Sequence, residues 1–280
     1  VKIINIICLL VTAVILNAKV VIKETVKKPT ANRENRTFTV FNSGPVQNIL
    51  CYNKRINPKT GAVTIGDRTA SSIGLGLKKN WYYGGFLKII VNRKAIKKPA
   101  KITVDGDTLR FYWKKGELDV VLKLVFEENS DRILGKITLS PVEKVKSLKV
   151  GFLATPGHQR PKKYTFSRWV STVDNNWKLV VKNTKKLTLP KEYWLMTYDE
   201  KYNGQRGMGA LLIDPKQLMS AKINGGGSVV RINLKTKPKT SSFRFMLWAI
   251  PESYMDAETL NIHLKNNAPK FLEDLRKFKF

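Results

Sequence analysis

Apolar residues recur at every second position through most of this chain, and that period constrains the fold more than any other feature. In "TLRFYWKK", Leu109, Phe111 and Trp113 alternate with Arg110, Tyr112 and Lys114. "LDVVLKLVF" puts Leu118, Val120, Leu122, Leu124 and Phe126 on one face. "SLKVGFLA" does the same with Leu148, Val150, Phe152 and Ala154, and "FRFMLWA" with Phe243, Phe245 and Leu247. Side chains of a strand point to opposite faces in turn, so each segment predicts a strand with one buried face. Asp105-Gly106, Lys115-Gly116 and Glu128-Asn129-Ser130-Asp131 supply turn chemistry between consecutive runs. Residues 101–154 are therefore expected to form an antiparallel meander. Short strands joined by short turns bury their apolar faces by stacking sheet on sheet. The expected fold is all-β: a large antiparallel two-sheet sandwich with a C-terminal helix.

That helix is the one segment with a helical period. In "YMDAETLNIHLKNNAPKFLEDLRKF", Asp256 suits an N-cap, and Leu260, Leu264, Phe271, Leu272 and Leu275 fall at helical spacings. Pro269 is expected to break or kink it. Residues 19–35 are polar and charged and are expected to form a loosely held N-terminal arm, with a single sandwich domain over 36–280. "INGGGSV" lies between strand-like runs and predicts a hairpin.

Residues 1–18 are set apart from the fold. Lys2, the apolar run Ile3 to Leu16 and the small Ala18 follow the order of a secretory signal peptide. The run is shorter than the roughly 20 apolar residues of a membrane-spanning helix, although retention as an anchor is the alternative. Cleavage near Ala18 removes Cys8 and leaves Cys51 as the one cysteine, so the mature chain has no internal disulfide. The expected location is secreted or periplasmic, in a bacterial envelope.

Formal net charge is +30. Such a field attracts polyanions and anionic membrane surfaces. None of the familiar nucleic-acid motifs accompanies it, so nucleic acid is set aside as a partner.

The order of segments resembles a known superfamily. "RTFTVFN" leads through "NPKTGAV" to "YYGGFLKIIV"; the meander follows; a later block reads "GMGALLIDPKQ" and then "SVVRINLKTKPKTSSFRFMLWAIP". This order resembles the galactose mutarotase-like superfamily, a carbohydrate-binding β-supersandwich. The resemblance implies a concave sheet face that holds sugars. Mutarotases also use two histidines with a carboxylate, one group protonating the ring oxygen while another takes the anomeric proton. Here the histidines are His158 and His263, and His263 falls in the predicted helix. Ring-opening catalysis is not supported.

Other chemistries lack their residues too. No zinc-ligand spacing, nucleophile elbow or phosphate-binding glycine loop occurs, so no metal and no cofactor is expected. Asp199 and Glu200 are adjacent and point to opposite faces of an extended chain, unlike the facing carboxylates of a glycosidase.

The candidate binding residues cluster around "ATPGHQRPKKYTFSRW". Thr155-Pro156-Gly157 turns the chain at a sheet rim and projects His158 and Arg160. Tyr164, Arg168 and Trp169 follow, with Trp177, Trp194 and Tyr198 nearby in sequence. Aromatic faces suit the C–H faces of sugars, and arginine can clamp a carboxylate or sulfate. The expected partner is an acidic poly- or oligosaccharide, bound without turnover and with no catalytic residue assigned. A polysaccharide lyase using His158, Tyr164 and Arg160 is one alternative, although many such enzymes add a large helical domain. The other is a cell-envelope protein that docks by charge on anionic lipid or cell-wall polymer.

Overall fold

Each alternating segment forms a strand that buries the face its period marks. The computed structural model describes residues 20–30, 33–41, 48–56, 59–60, 63–65, 72–77, 82–96, 99–128, 130, 132–154, 168–178, 184–199, 209–226, 229–249 and 256–280. Among them, the strands lie in two antiparallel sheets, and one α-helix follows.

Strands are numbered along the chain. The first sheet holds β1 (Val21–Thr30), β2 (Arg33–Phe41), β3 (Asn48–Ile56), β4 (Val63–Ile65), β5 (Ser72–Leu77) and β6 (Tyr82–Val91). It also holds β7 (Lys94–Ala95), β12 (Leu148–Ala154), β15 (Thr184–Lys186), β18 (Leu218–Gly226) and β19 (Val229–Thr236). Their order is β1-β2-β3-β5-β6-β12-β19-β18-β15, with β4 beside β3 and β7 beside β6. The second sheet holds β8 (Lys101–Asp105), β9 (Thr108–Lys115), β10 (Leu118–Phe126), β11 (Arg132–Ser140) and β13 (Arg168–Ser171). With β14 (Asn176–Lys178), β16 (Trp194–Asp199), β17 (Gly209–Ile213) and β20 (Ser242–Ala249), its order is β14-β13-β16-β17-β20-β11-β10-β9-β8.

The main core lies between the sheets. Leu109, Phe111, Leu122, Leu124, Ile137, Phe152, Ile232, Phe243 and Phe245 are buried in it, and Phe152 meets Phe245 edge-on at 4.9 Å. Two tight turns keep the meander in register. Asp105 pairs with Thr108 and Lys115 with Leu118, leaving two-residue loops that begin at Gly106 and Gly116. Both glycines take left-handed φ, +59° and +61°, which any Cβ disfavours. The expected hairpin around "INGGGSV" is present, with Gly226 opposite Val229.

Part of the second sheet is covered on both faces. The helix α1 (Ala257–Lys277) packs over β16, β17 and β20, burying Leu260, Leu264, Ala268, Leu272 and Leu275 against Trp194, Met196, Leu212, Met246 and Trp248. Asp256 caps it by accepting from the Thr259 N–H at 2.7 Å. The helix continues through Pro269, where a break or kink was expected. Pro269 is exposed, as is Lys265, whose carbonyl loses its usual donor there. Water can replace that bond on the solvent side.

The segment expected as an N-terminal arm, residues 19–35, contains a strand. Val21 to Thr30 form β1, an edge strand paired with β2 from Val21↔Phe41 to Thr30↔Arg33. Its residues 23–26 are exposed, so little apolar surface marks it as a strand in sequence; backbone pairing to one neighbour holds it. The proposed signal segment, 1–18, lies outside the described residues.

Candidate carbohydrate-binding surface

At one end of the second sheet, β13, β14 and β16 carry the aromatics singled out in sequence. Ser171 pairs with Asn176, Val170 with Trp177 and Trp169 with Lys178 across the β13–β14 hairpin. On the other side of β13, Trp169 pairs with Tyr198 and Arg168 with Asp199. Period two then sorts these residues between the faces. Val170 and Leu195 point into the main core, and Trp177 packs against that core at its margin. Trp169 and Tyr198 share the opposite face, the one α1 covers farther along the sheet.

Trp169 and Tyr198 are each partly exposed and directly opposed, which puts their Cβ atoms about 4.5–5.5 Å apart. A third strand supplies polar groups beside them. Asn176 donates from Nδ2 to the Tyr198 hydroxyl at 3.3 Å, and the Ser171 hydroxyl donates to Asn176 Oδ1 at 3.1 Å. The opposed pair forms a platform edged by the Asn176 amide, while the Ser171 hydroxyl behind it is buried.

A buried carboxylate fixes the hairpin under this platform. Glu192 is 1% exposed. Its Oε1 accepts from Thr172 Oγ1 at 2.6 Å and Asn175 Nδ2 at 2.5 Å, both on the turn joining β13 to β14. Its Oε2 accepts from the Thr188 N–H at 2.5 Å, while its own N–H donates to the Thr188 carbonyl at 2.9 Å. Burial pushes this carboxyl up, but the hydrogen bonds from Thr172, Thr188 and Asn175 outweigh it and hold the pKa below the usual carboxylate value. Glu192 thus stays ionised as a clamp.

The sequence candidates divide as follows. Trp169 and Tyr198 come together; Trp177 sits on the other face of the same hairpin. Trp194 is fully buried between the sheet and α1, with no buried partner for its Nε1, and has no surface to offer a sugar. Arg168 lies on β13 opposite Asp199. His158, Arg160 and Tyr164 lie outside the described residues. His263 is on α1, tilted against Trp248 at 5.4 Å. Sequence reasoning missed Asn176, Ser171 and Glu192, because only cross-strand register brings them to the aromatics. Among the described residues, no cluster of three His, Cys, Asp or Glu is placed to hold a metal ion.

The sequence matches no protein-family profile and no curated protein. Solved structures with a similar course include a TPR-domain containing protein from Parabacteroides distasonis, at TM-score 0.47 and 7% identity, covering 81% of this chain and 48% of the other. A protein from Klebsiella pneumoniae named as an aldose 1-epimerase aligns at TM-score 0.44 and 7% identity, covering 90% and 92%. A GH31 family sulfoquinovosidase from E. rectale aligns at TM-score 0.34 and 8% identity, covering 81% and 32%. The chain thus spans about half of the first and a third of the last. These are distant resemblances, and they assign no family.

Proposed function

We propose that this chain is an exported carbohydrate-binding protein whose ligand is an acidic oligo- or polysaccharide. The observation that carries the reading is the Trp169–Tyr198 pair, opposed on neighbouring strands with Asn176 bonded to the phenol. Adjacent rings offer apolar faces to a sugar's C–H groups, and the Asn176 amide and Tyr198 hydroxyl at their edge can bond its hydroxyls. The basic stretch with His158 and Arg160 precedes Trp169 in the sequence and would supply charge for acid groups. Glu192 is committed to three donors and carries no catalytic role in this reading, which is of binding without turnover.

The test is binding of a panel of neutral and acidic oligosaccharides by calorimetry. Trp169→Ala should weaken neutral and acidic sugars alike, by roughly 2–10-fold. Arg160→Ala should weaken only the acidic ones, by roughly 1.5–3 kcal/mol. Parent-like binding by both folded variants refutes the reading, and so does sugar anomerisation or bond cleavage lost in His158→Ala.

One observation favours a second reading, docking by charge. The strands β5, β6, β12, β15, β18 and β19 contain no Asp or Glu. Lys88, Lys149, Lys186, Lys222 and Arg231 are exposed on the outer face of that sheet, which no described element covers. Such a face would attract anionic lipid or cell-wall polymer. Adherence of this kind should vanish near 1 M salt, where the screening length falls to about 3 Å, whereas aromatic stacking persists.

A further inference from the structure

A second cluster of cations differs from that exposed face in being half-buried and in strict register. Lys123 on β10 pairs with Arg110 on β9 and with Lys136 on β11, and Lys136 pairs with Arg244 on β20. Four cations therefore stand side by side across four adjacent strands, spanning about 14 Å at the usual strand spacing. All four are on the outer face of the second sheet, since Leu122, Leu124, Ile137 and Phe245 beside them face the main core. Like charges directly opposite one another destabilise a sheet. In fully exposed positions water screens that cost; here each side chain is partly withdrawn from water.

The two ends of the row are partnered by the chain itself. Arg110 Nη1 meets Asp105 Oδ2 at 2.5 Å. Arg244 Nη1 donates to the carbonyls of Leu275 at 2.9 Å, Phe278 at 3.2 Å and also Arg276, at the negative end of α1. Among the described residues no carboxylate neutralises the middle: Lys136 meets the Phe280 ring, 5.6 Å from its Nζ, and that ring also covers Arg244 at 5.4 Å. Lys123 has no carboxylate within ion-pair distance among the described residues, and cations flank it on both sides.

We propose that Lys123 and Lys136, flanked by Arg110 and Arg244, form a binding site for a tetrahedral oxyanion of the sulfate or phosphate ester class. A planar carboxylate fits the fork of one arginine, but the two central cations are lysines, compact charges with three donors each. They suit a group that carries several oxygens and more than one charge. The neighbouring row on this face adds hydroxyls, with Tyr112 opposite Val121 and Val121 opposite Thr138. The Lys136 pKa is held below the usual lysine value, by burial first and then by Arg244 and Lys123. The site is separate from the Trp169 platform: α1 lies between them, over β16, β17 and β20.

The experiment titrates the parent with sodium sulfate and sodium phosphate, against sodium chloride at matched ionic strength, following thermal unfolding and calorimetry. Sulfate or phosphate should raise the melting temperature saturably and chloride should not. Lys123→Gln and Lys136→Gln should each weaken anion binding about tenfold or more, the loss expected for one charge-assisted hydrogen bond. Without anion, Lys123→Gln should melt no lower than the parent, because it removes repulsion. Lys149→Gln on the other sheet and Trp169→Ala should respond to sulfate as the parent does, whatever becomes of the sugar reading. A sulfated oligosaccharide should compete with sulfate while its desulfated form does not. Equal stabilisation by chloride at the same ionic strength overturns the site, as does parent-like affinity in both lysine variants. Competition by inorganic ions alone, with none from sulfated sugar, overturns the ester assignment.

Discussion

Glu192→Gln tests whether a buried carboxylate organises the candidate site. The native side chain takes three donors on two oxygens, at 2.5–2.6 Å, with almost no exposure to water. Glutamine keeps the shape but has one carbonyl oxygen and an NH2 group. If the oxygen stays with the Thr188 N–H, the NH2 must face Thr172 and Asn175. The Thr172 hydroxyl can turn to accept and the Asn175 amide can flip, so that orientation loses mainly the charge assistance of the bonds. The reverse orientation sets NH2 against the Thr188 N–H, which cannot adapt. Either way the cost is about 1–3 kcal/mol, or about 2–12 °C in melting temperature at roughly 2–4 °C per kcal/mol. The pH dependence has a definite sign. The folded pKa lies below the unfolded value of about 4.3, so this stabilisation is full above about pH 5 and is lost as pH falls through the folded value. Urea unfolding of parent and variant between pH 3.5 and 7 should therefore show a gap that narrows toward acid. A gap under about 0.5 kcal/mol at neutral pH, or one that stays constant down to pH 3.5, would refute the clamp.

Two further substitutions test the packing that supports this sheet. At Gly135 a Cβ would lie 2.2, 2.3 and 2.6 Å from ring carbons of Phe245, so Gly135→Ala should destabilise by about 1–3 kcal/mol or more. Adding Phe245→Leu should make the double variant less unstable than the sum of the two single changes, measured by a thermal double-mutant cycle. Leu264, fully buried on the sheet-facing side of α1, should cost about 2–5 kcal/mol when replaced by alanine, and limited proteolysis should then release the helix early.

Period two in the sequence determined most of the architecture. Leu109, Phe111, Trp113 and their counterparts on β10, β12 and β20 are buried where the alternation marks them, because a strand's pleat leaves each side chain only two directions. Asp256 and the leucine spacing likewise marked α1, since cap and periodicity are local properties. Pairing between distant segments is not local, and the tertiary structure alone decided it. It gave Val21–Thr30 a partner strand that its polar composition did not announce. It placed Trp169 and Tyr198 on one face, Trp177 on the other and Trp194 beneath the helix, although all four look equally available in sequence. It also aligned Arg110, Lys123, Lys136 and Arg244, which are far apart along the chain, into one row. A register shift of a single residue would send each of those side chains to the opposite face.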